Sequence, residues 1–201
     1  MRVIFTTFFC FALCGTPASA QSPVAPASGR VIDVSLGYSY ISHADSFSNR
    51  VGLNGADASF TMGINPRLAI RGDLGYARAA DVLGSGRHID AFSYMAGPVL
   101  FPMTHRHFVT YLHGLAGGAR VTGPIFSNGG GSPARGFANE FAWAVGGGVD
   151  CWVSEAIAIR TGVDYMRTAY FDASRAIRGQ NNIRTTASVV YFLGKRFWTK
   201  R

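Results

Sequence analysis

Charge is scarce in this chain. Asp, Glu, Lys and Arg make up 15% of its 201 residues, against roughly 25% in ordinary soluble domains. Long apolar runs are missing too. After residue 20 no apolar stretch approaches the roughly 20 residues that a membrane-spanning helix requires. If the chain crosses a membrane, it crosses as strands. Cysteine is nearly absent: Cys10 and Cys14 sit in an N-terminal leader, and Cys151 stands alone. A disulfide framework is therefore excluded, and Cys151 reads as a small packed or lipid-facing thiol. A concentrated basic patch is also lacking. The net charge is +8, but Lys and Arg are scattered until Lys195, Arg196, Lys200 and Arg201. That distribution argues against nucleic acid and suits anionic lipid head groups.

Glycine and aromatic residues are abundant. There are 25 glycines in 201 residues, and aromatics reach 13%, where glycine is usually about 7%. The length fits one domain. Residues 1–20, MRVIFTTFFCFALCGTPASA, combine Arg2, an apolar core from Val3 to Leu13, and the small-x-small triplet Ala18-Ser19-Ala20. This is the layout of a secretory signal peptide cleaved near Ala20. Lipidation at Cys14 is the lesser reading, because Leu13 stands where a small residue is wanted. Residues 21–30 form a Pro- and Ser-rich lead-in, 31–196 the folded domain, and 197–201 a basic tail.

The domain is patterned by alternation. From Phe141 the odd positions are Phe141, Trp143, Val145, Gly147, Val149 and Cys151, and the even ones are Ala142, Ala144, Gly146, Gly148 and Asp150. After Val153-Ser154-Glu155, Ile157, Ile159, Val163 and Tyr165 oppose Ala158, Arg160, Gly162 and Asp164. Successive side chains of a strand point to opposite faces, so this is a hairpin with one apolar face and one small, polar face. Strands at 31–42, 55–64 and 68–76 follow the same rule, as does 182–193. The stretches 88–101 and 108–121 are strands of undetermined facing. Gly97-Pro98 predicts a bulge or a local break in pairing. Segments 43–49, 122–138 and 171–181 read as loops, the second the longest.

Eight strands result, with short connections after the second, fourth and sixth and longer ones after the others. That is the pattern of an outer-membrane barrel, apolar outside and polar inside, whose closure leaves no edge unpaired in lipid. The expected fold class is all-β: an eight-stranded antiparallel up-and-down transmembrane β-barrel preceded by a signal peptide. A soluble lipocalin-type barrel would line its cavity with large apolar residues, and the small face holds Gly, Ala, Ser, Asp and Arg instead. Phe141, Trp143, Val145, Val149, Ile157, Ile159 and Val163 should then face lipid. Tyr38, Tyr40, Tyr76, Tyr165, Tyr170, Tyr191 and Trp152, near strand ends, suit interfacial girdles.

The blocks NGADASFTMGINPRLAIRGDLGY, SYMAGPVLF, HGLAGGARV, FAWAVGGGVD, IAIRTGVDY and NNIRTTASVVYFLGKR together resemble the small outer-membrane β-barrel family, the OmpA-like transmembrane domain. The resemblance implies an eight-stranded barrel in the outer membrane of a Gram-negative-type cell, acting as an anchor, adhesion factor or narrow pore. Larger members of that family add a peptidoglycan-binding domain, and a chain ending at Arg201 is expected to lack one.

The expected lumen network, structural or gating, is Asp33, Asp57, Arg71, Asp73, Glu140, Asp150, Arg160, Asp164 and Arg184. Interior charges must pair, because an isolated ion away from water is costly. Arg160 between Asp150 and Asp164 is the pairing singled out. A lipid-modifying outer-membrane enzyme is the third reading, set aside because the five histidines, His43, His88, His105, His107 and His113, form no Ser-His-acid spacing across neighbouring strands. The His105-x-His107 turn offers too few ligands for a metal. The loop SNGGGSPARG lacks the Gly-Lys-Ser/Thr of a phosphate cradle. The expectation is a non-enzyme without cofactor or metal. Its partners are outer-membrane lipid and lipopolysaccharide, with a ligand held by extracellular loops.

Overall fold

A computed structural model describes residues 32–44, 50–80, 88–105, 107–125, 134–171 and 177–193. The expected signal peptide, lead-in and tail lie outside the described residues. Alternating sequence becomes eight antiparallel strands: β1 (Ile32–Ala44), β2 (Arg50–Asn65), β3 (Leu68–Ala79), β4 (Ile89–Leu100), β5 (Phe108–Ile125), β6 (Ala134–Trp152), β7 (Ile157–Phe171) and β8 (Ile177–Leu193). Each strand pairs with its sequence neighbours, and β1 pairs with β8 from Ile32↔Leu193 to Ser42↔Ile183, so the sheet closes into a barrel.

The faces are inverted relative to a soluble protein. Leu36 is 68% exposed, and Phe60, Ile70, Leu74, Leu112, Val145, Ile159, Val163 and Val189 are exposed with it, while Asp33, Asp73, Arg160 and Arg184 are buried. A wall of this kind is stable only where hydrocarbon replaces water around it. The barrel is therefore transmembrane. Tyr76 is exposed in the loop-side half of β3 and Tyr191 near the opposite end of β8, whereas Tyr38 and Tyr165, expected near strand ends, are exposed at mid-strand. The Tyr38 hydroxyl donates to Asn54, and that of Tyr76 to Asp90 at 2.9 Å. Such placement suits an apolar ring with a polar tip. Tyr170 has no described side chain.

The turn end is laced by backbone and side-chain hydrogen bonds. Asn65 Oδ1 accepts the Arg67 N–H at 2.9 Å across Pro66, and the β2–β3 register shifts between Gly63 and Asn65. In the β6–β7 turn, Ser154 Oγ accepts from the Ile157 N–H at 3.1 Å. Phe101 N–H donates to Arg67 O, and Trp152 N–H to His107 O, both at 3.0 Å, joining separate turns.

The structure corrects three expectations. Much of 122–138 is strand rather than loop: Thr122↔Phe137, Gly123↔Gly136, Pro124↔Arg135 and Ile125↔Ala134 extend the β5–β6 ladder. Likewise β8 begins at Ile177, inside the expected loop 171–181. Connection lengths are consequently less contrasted than expected, since the turn 101–107 is longer than the connections 45–49 and 172–176. Of the bulge or local break in pairing expected at Gly97-Pro98, the structure has the break, on the β5 side. The β3 pairing runs through both residues, and the β5 pairing lapses between Ala96↔Ala116 and Val99↔His113 without changing register. Proline has no N–H for the second ladder, and a side chain at Gly97 would collide with the Gly114 carbonyl.

The barrel lumen as candidate functional site

The lumen is filled in layers. Nearest the turns, Ala69, Val99 and Tyr111 pack with Phe101. The first ionic cluster lies in the same turn-side half. Asp150 on β6 and Arg160 on β7 are direct cross-strand partners. Arg160 Nε and Nη2 donate to the two Asp150 oxygens, each at 2.8 Å. The same guanidinium reaches across the closure to Asp33 on β1, 3.2 Å from Nη1. Arg160 is 3% exposed, so its bidentate and cross-lumen bonds are the charge-assisted kind that can offset desolvation.

The second cluster centres on Arg184 of β8. Its Nε donates to Asp164 at 2.8 Å, and its Nη1 to Asp73 at 2.7 Å and Asp57 at 3.2 Å. One arginine thus ties β8 to β7, β3 and β2. His113 of β5 joins this cluster through Asp164, with Nε2 at 2.8 Å from Oδ1. Arg71 Nη1 lies 3.1 Å from His113 Nδ1. A guanidinium can only donate, so Nδ1 accepts and Nε2 carries the proton given to Asp164. Arg71 also donates to Thr61 Oγ1 at 3.1 Å, but its buried Nη2 has no hydrogen-bond partner among the described residues. Among the described residues Arg71 makes no ion pair.

Tyr111 bridges the two clusters. Arg71 lies 4.6 Å and Arg160 5.4 Å from its ring centre, within cation–π range. Its hydroxyl donates to Thr161 O at 3.3 Å and occupies a niche beside Gly148 and Gly162, where any side chain would meet it.

The loop-side half of the lumen is mainly apolar, although Asn182 donates to Thr168 Oγ1 within it at 2.9 Å. Ile41, Leu53, Ala77, Met95, Leu115, Ala142, Ala144 and Met166 form one buried cluster. The expectation of a uniformly small and polar interior is corrected here, because Leu53, Met95 and Leu115 come from stretches whose large inward residues alternation had left unassigned.

Eight of the nine expected lumen residues meet in these two clusters. Glu140 shares their face of β6 but sits toward the loop end, half-buried, outside both. The pairing singled out for Arg160 holds for Asp150 only. Asp164 stands directly opposite Arg184 and bonds to it instead. His113 and Tyr111 escaped sequence reasoning because β5 is apolar on both faces. The available signal was that its two most polar-tipped large residues, Tyr111 and His113, share one parity.

No protein-family model matches the sequence, and comparison with curated protein sequences finds no relative. Solved structures do match. Neisserial surface protein A aligns at TM-score 0.61 and 16% identity, over 82% of this chain and 97% of that one. Ail of Yersinia pestis, in complex with the heparin analogue sucrose octasulfate, aligns at 0.58 and 15%, over 82% and 99%. The outer membrane protein OprG of Pseudomonas aeruginosa aligns at 0.58 and 13%, over 85% and 99%.

The fold is that of the small outer-membrane β-barrels. All eight strands and the closure between the first and last follow that pattern. At these identities the likeness establishes the fold, and the roles of the lumen side chains rest on their own geometry.

Proposed function

We propose that this protein is an integral barrel of the outer membrane that acts as a structural anchor, with its loop end presented outside the cell to bind partners and its lumen plugged. The observation that carries the reading is the packed interior. Arg184 is 1% exposed and Arg160 3%, and the apolar cluster seals the lumen above them. An eight-stranded barrel is only wide enough for side chains to fill it, so the cross-lumen bonds serve as bracing. The reading assigns the chain no catalysis. Its outward partner is anionic, in keeping with the +8 net charge and with the polyanion analogue held by Ail.

A narrow gated pore is the second reading, favoured by one observation. Among the described residues the buried Arg71 Nη2 has no hydrogen-bond partner, so an alternative pairing is open to it. Planar-bilayer recording of the folded, heat-modifiable protein decides between them. The anchor reading expects no discrete conductance steps, whereas steps abolished by Arg71→Met would establish the pore.

A further inference from the structure

The barrel is not zipped to its loop end. Pairing between β6 and β7 stops at Trp143↔Arg167. Beyond that point β6 continues upward as Ala134–Ala142, paired on its other side with β5 as far as Ile125↔Ala134. On its side, β7 continues to Phe171, paired with β8 as far as Phe171↔Ile177. In turn, β8 is paired with β1 only up to Ile183↔Ser42. The β5–β6 and β7–β8 hairpins therefore rise as two separate ribbons. Among the described residues, the β6 edge over 134–142 and the β7 edge over 168–171 have no ladder partner facing the seam. Trp143 and Tyr165, with ring centres 5.8 Å apart, pin the two strands together at its base.

The free length lies outside the membrane. A spanning strand needs about 9–11 residues, and β5 and β6 have 18 and 19. An unpaired strand edge in water is a template for another strand. We propose that the β6 edge, Ala134–Ala142, binds an extended acidic peptide of a partner protein by strand addition. The proposal rests on the outward orientation of the loop end and names the class of partner.

Two arguments select this occupant. The first is charge. The strands of the two ribbons contain Arg120, Arg135, Arg167 and Arg178 against Glu140 in this half, so acidic side chains are attracted and basic ones repelled. The second is orientation. Self-pairing of one edge in a closed dimer requires a two-fold axis across the strands. Two barrels inserted the same way in one membrane present their β6 edges running in the same sense, so a second copy beside the first does not meet that condition. Strand addition takes its affinity from main-chain hydrogen bonds and its specificity from alternate side chains. At the seam these lie beside Phe141, which is 67% exposed, and Asn139, also exposed.

The test uses the full folded chain in detergent micelles and fluorescein-labelled octapeptides of alternating Glu and Val. Their Lys-Val counterparts and Glu-Val peptides N-methylated at alternate amides serve as controls. Anisotropy should show the acidic peptide binding at least tenfold more tightly than either control. Hydrogen exchange should slow across 134–142 on binding. Ala142→Cys with Thr168→Cys, in a Cys151→Ser background, places thiols at the next pair of the β6–β7 register. Their oxidation should weaken binding at least tenfold and reductant should restore it. Where the disulfide does not form, the exchange measurement stands in its place. Equal binding of the N-methylated peptide, or no protection across 134–142, overturns the proposal, as does dimerisation through this edge in the absence of peptide. Equal displacement of the peptide by sucrose octasulfate in the open and closed forms would also overturn it, showing a charged surface rather than a strand template. None of these outcomes touches the anchor reading, which bilayer recording and heat-modifiable mobility test separately.

Discussion

A buried guanidinium is only as stable as the carboxylates around it, and the reverse holds for the carboxylates. Arg184 serves Asp57, Asp73 and Asp164 at once. Arg184→Ala strands Asp57 and Asp73 and leaves Asp164 with His113 alone, and breaking such an assembly costs about 3–5 kcal/mol. Arg71→Met strands no acid and should cost less than Arg184→Ala. Guanidinium unfolding in micelles, followed by heat-modifiable mobility, ranks the two. Equal midpoints would remove the bracing role given to Arg184. A second residue-scale prediction concerns the Tyr111 niche. A methyl group at Gly162 overlaps the Tyr111 hydroxyl, and overpacking of this kind costs about 1–3 kcal/mol. Tyr111→Phe removes the obstructing oxygen, so Gly162→Ala should be milder in the Tyr111→Phe background than in the native chain. Additive costs would place the strain elsewhere. Alternation made the inward position of the acids and arginines legible, but not their partners. Arg160 finds Asp33 across 127 residues, a contact set by barrel closure and lumen width, which no local pattern encodes.

Among the elements, β6 and β7 were readable and β5 was not. On β7 the polar parity carries Arg160 and Asp164 while the other carries Ile157, Ile159 and Val163, so one face declares itself. On β5, Val109, Tyr111 and Leu115 are buried while Leu112 and Ala116 are exposed, and hydrophobicity does not separate the two sets. The facing is decided by Tyr111 and His113, whose rings need the lumen. It is also decided by Gly118, whose bare backbone lies under the Tyr94 ring on the outer wall. If this assignment is right, Ala116→Arg places a charge in hydrocarbon and costs about 2–4 kcal/mol near the midplane. Single cysteines at Leu112 and Ala116, in a Cys151→Ser background, should be quenched by brominated lipid when labelled, and one at Leu115 should not. The opposite quenching order would invert β5. The Gly- and Ser-rich stretch 122–138 misled for another reason. Its strand ends are made by backbone pairing, Gly123 against Gly136, and glycine carries no side-chain pattern to announce a face.

At the scale of the whole molecule, stability depends on closure. In lipid every backbone polar group needs a partner within the sheet. The closing ladder between β1 and β8 runs from Ile32↔Leu193 to Ser42↔Ile183, and β8 also delivers Arg184 to acids on three other strands. Removing β8 thus exposes two ladder edges and strands the second ionic cluster in one step. Partial barrels should not persist as intermediates of reduced stability. Truncation before Ile177 should abolish the heat-modifiable form altogether, leaving protein that migrates at the same position heated or unheated. Supplying residues 177–193 as a separate peptide during refolding should recover some of the fast-migrating form, because the register is fixed by side chains already in place on β1 and β7. The same peptide carrying Arg184→Ala should recover less. Heat-modifiable mobility in the truncated chain without peptide would show that seven strands suffice, and that neither the β1–β8 ladder nor Arg184 is what closes the barrel.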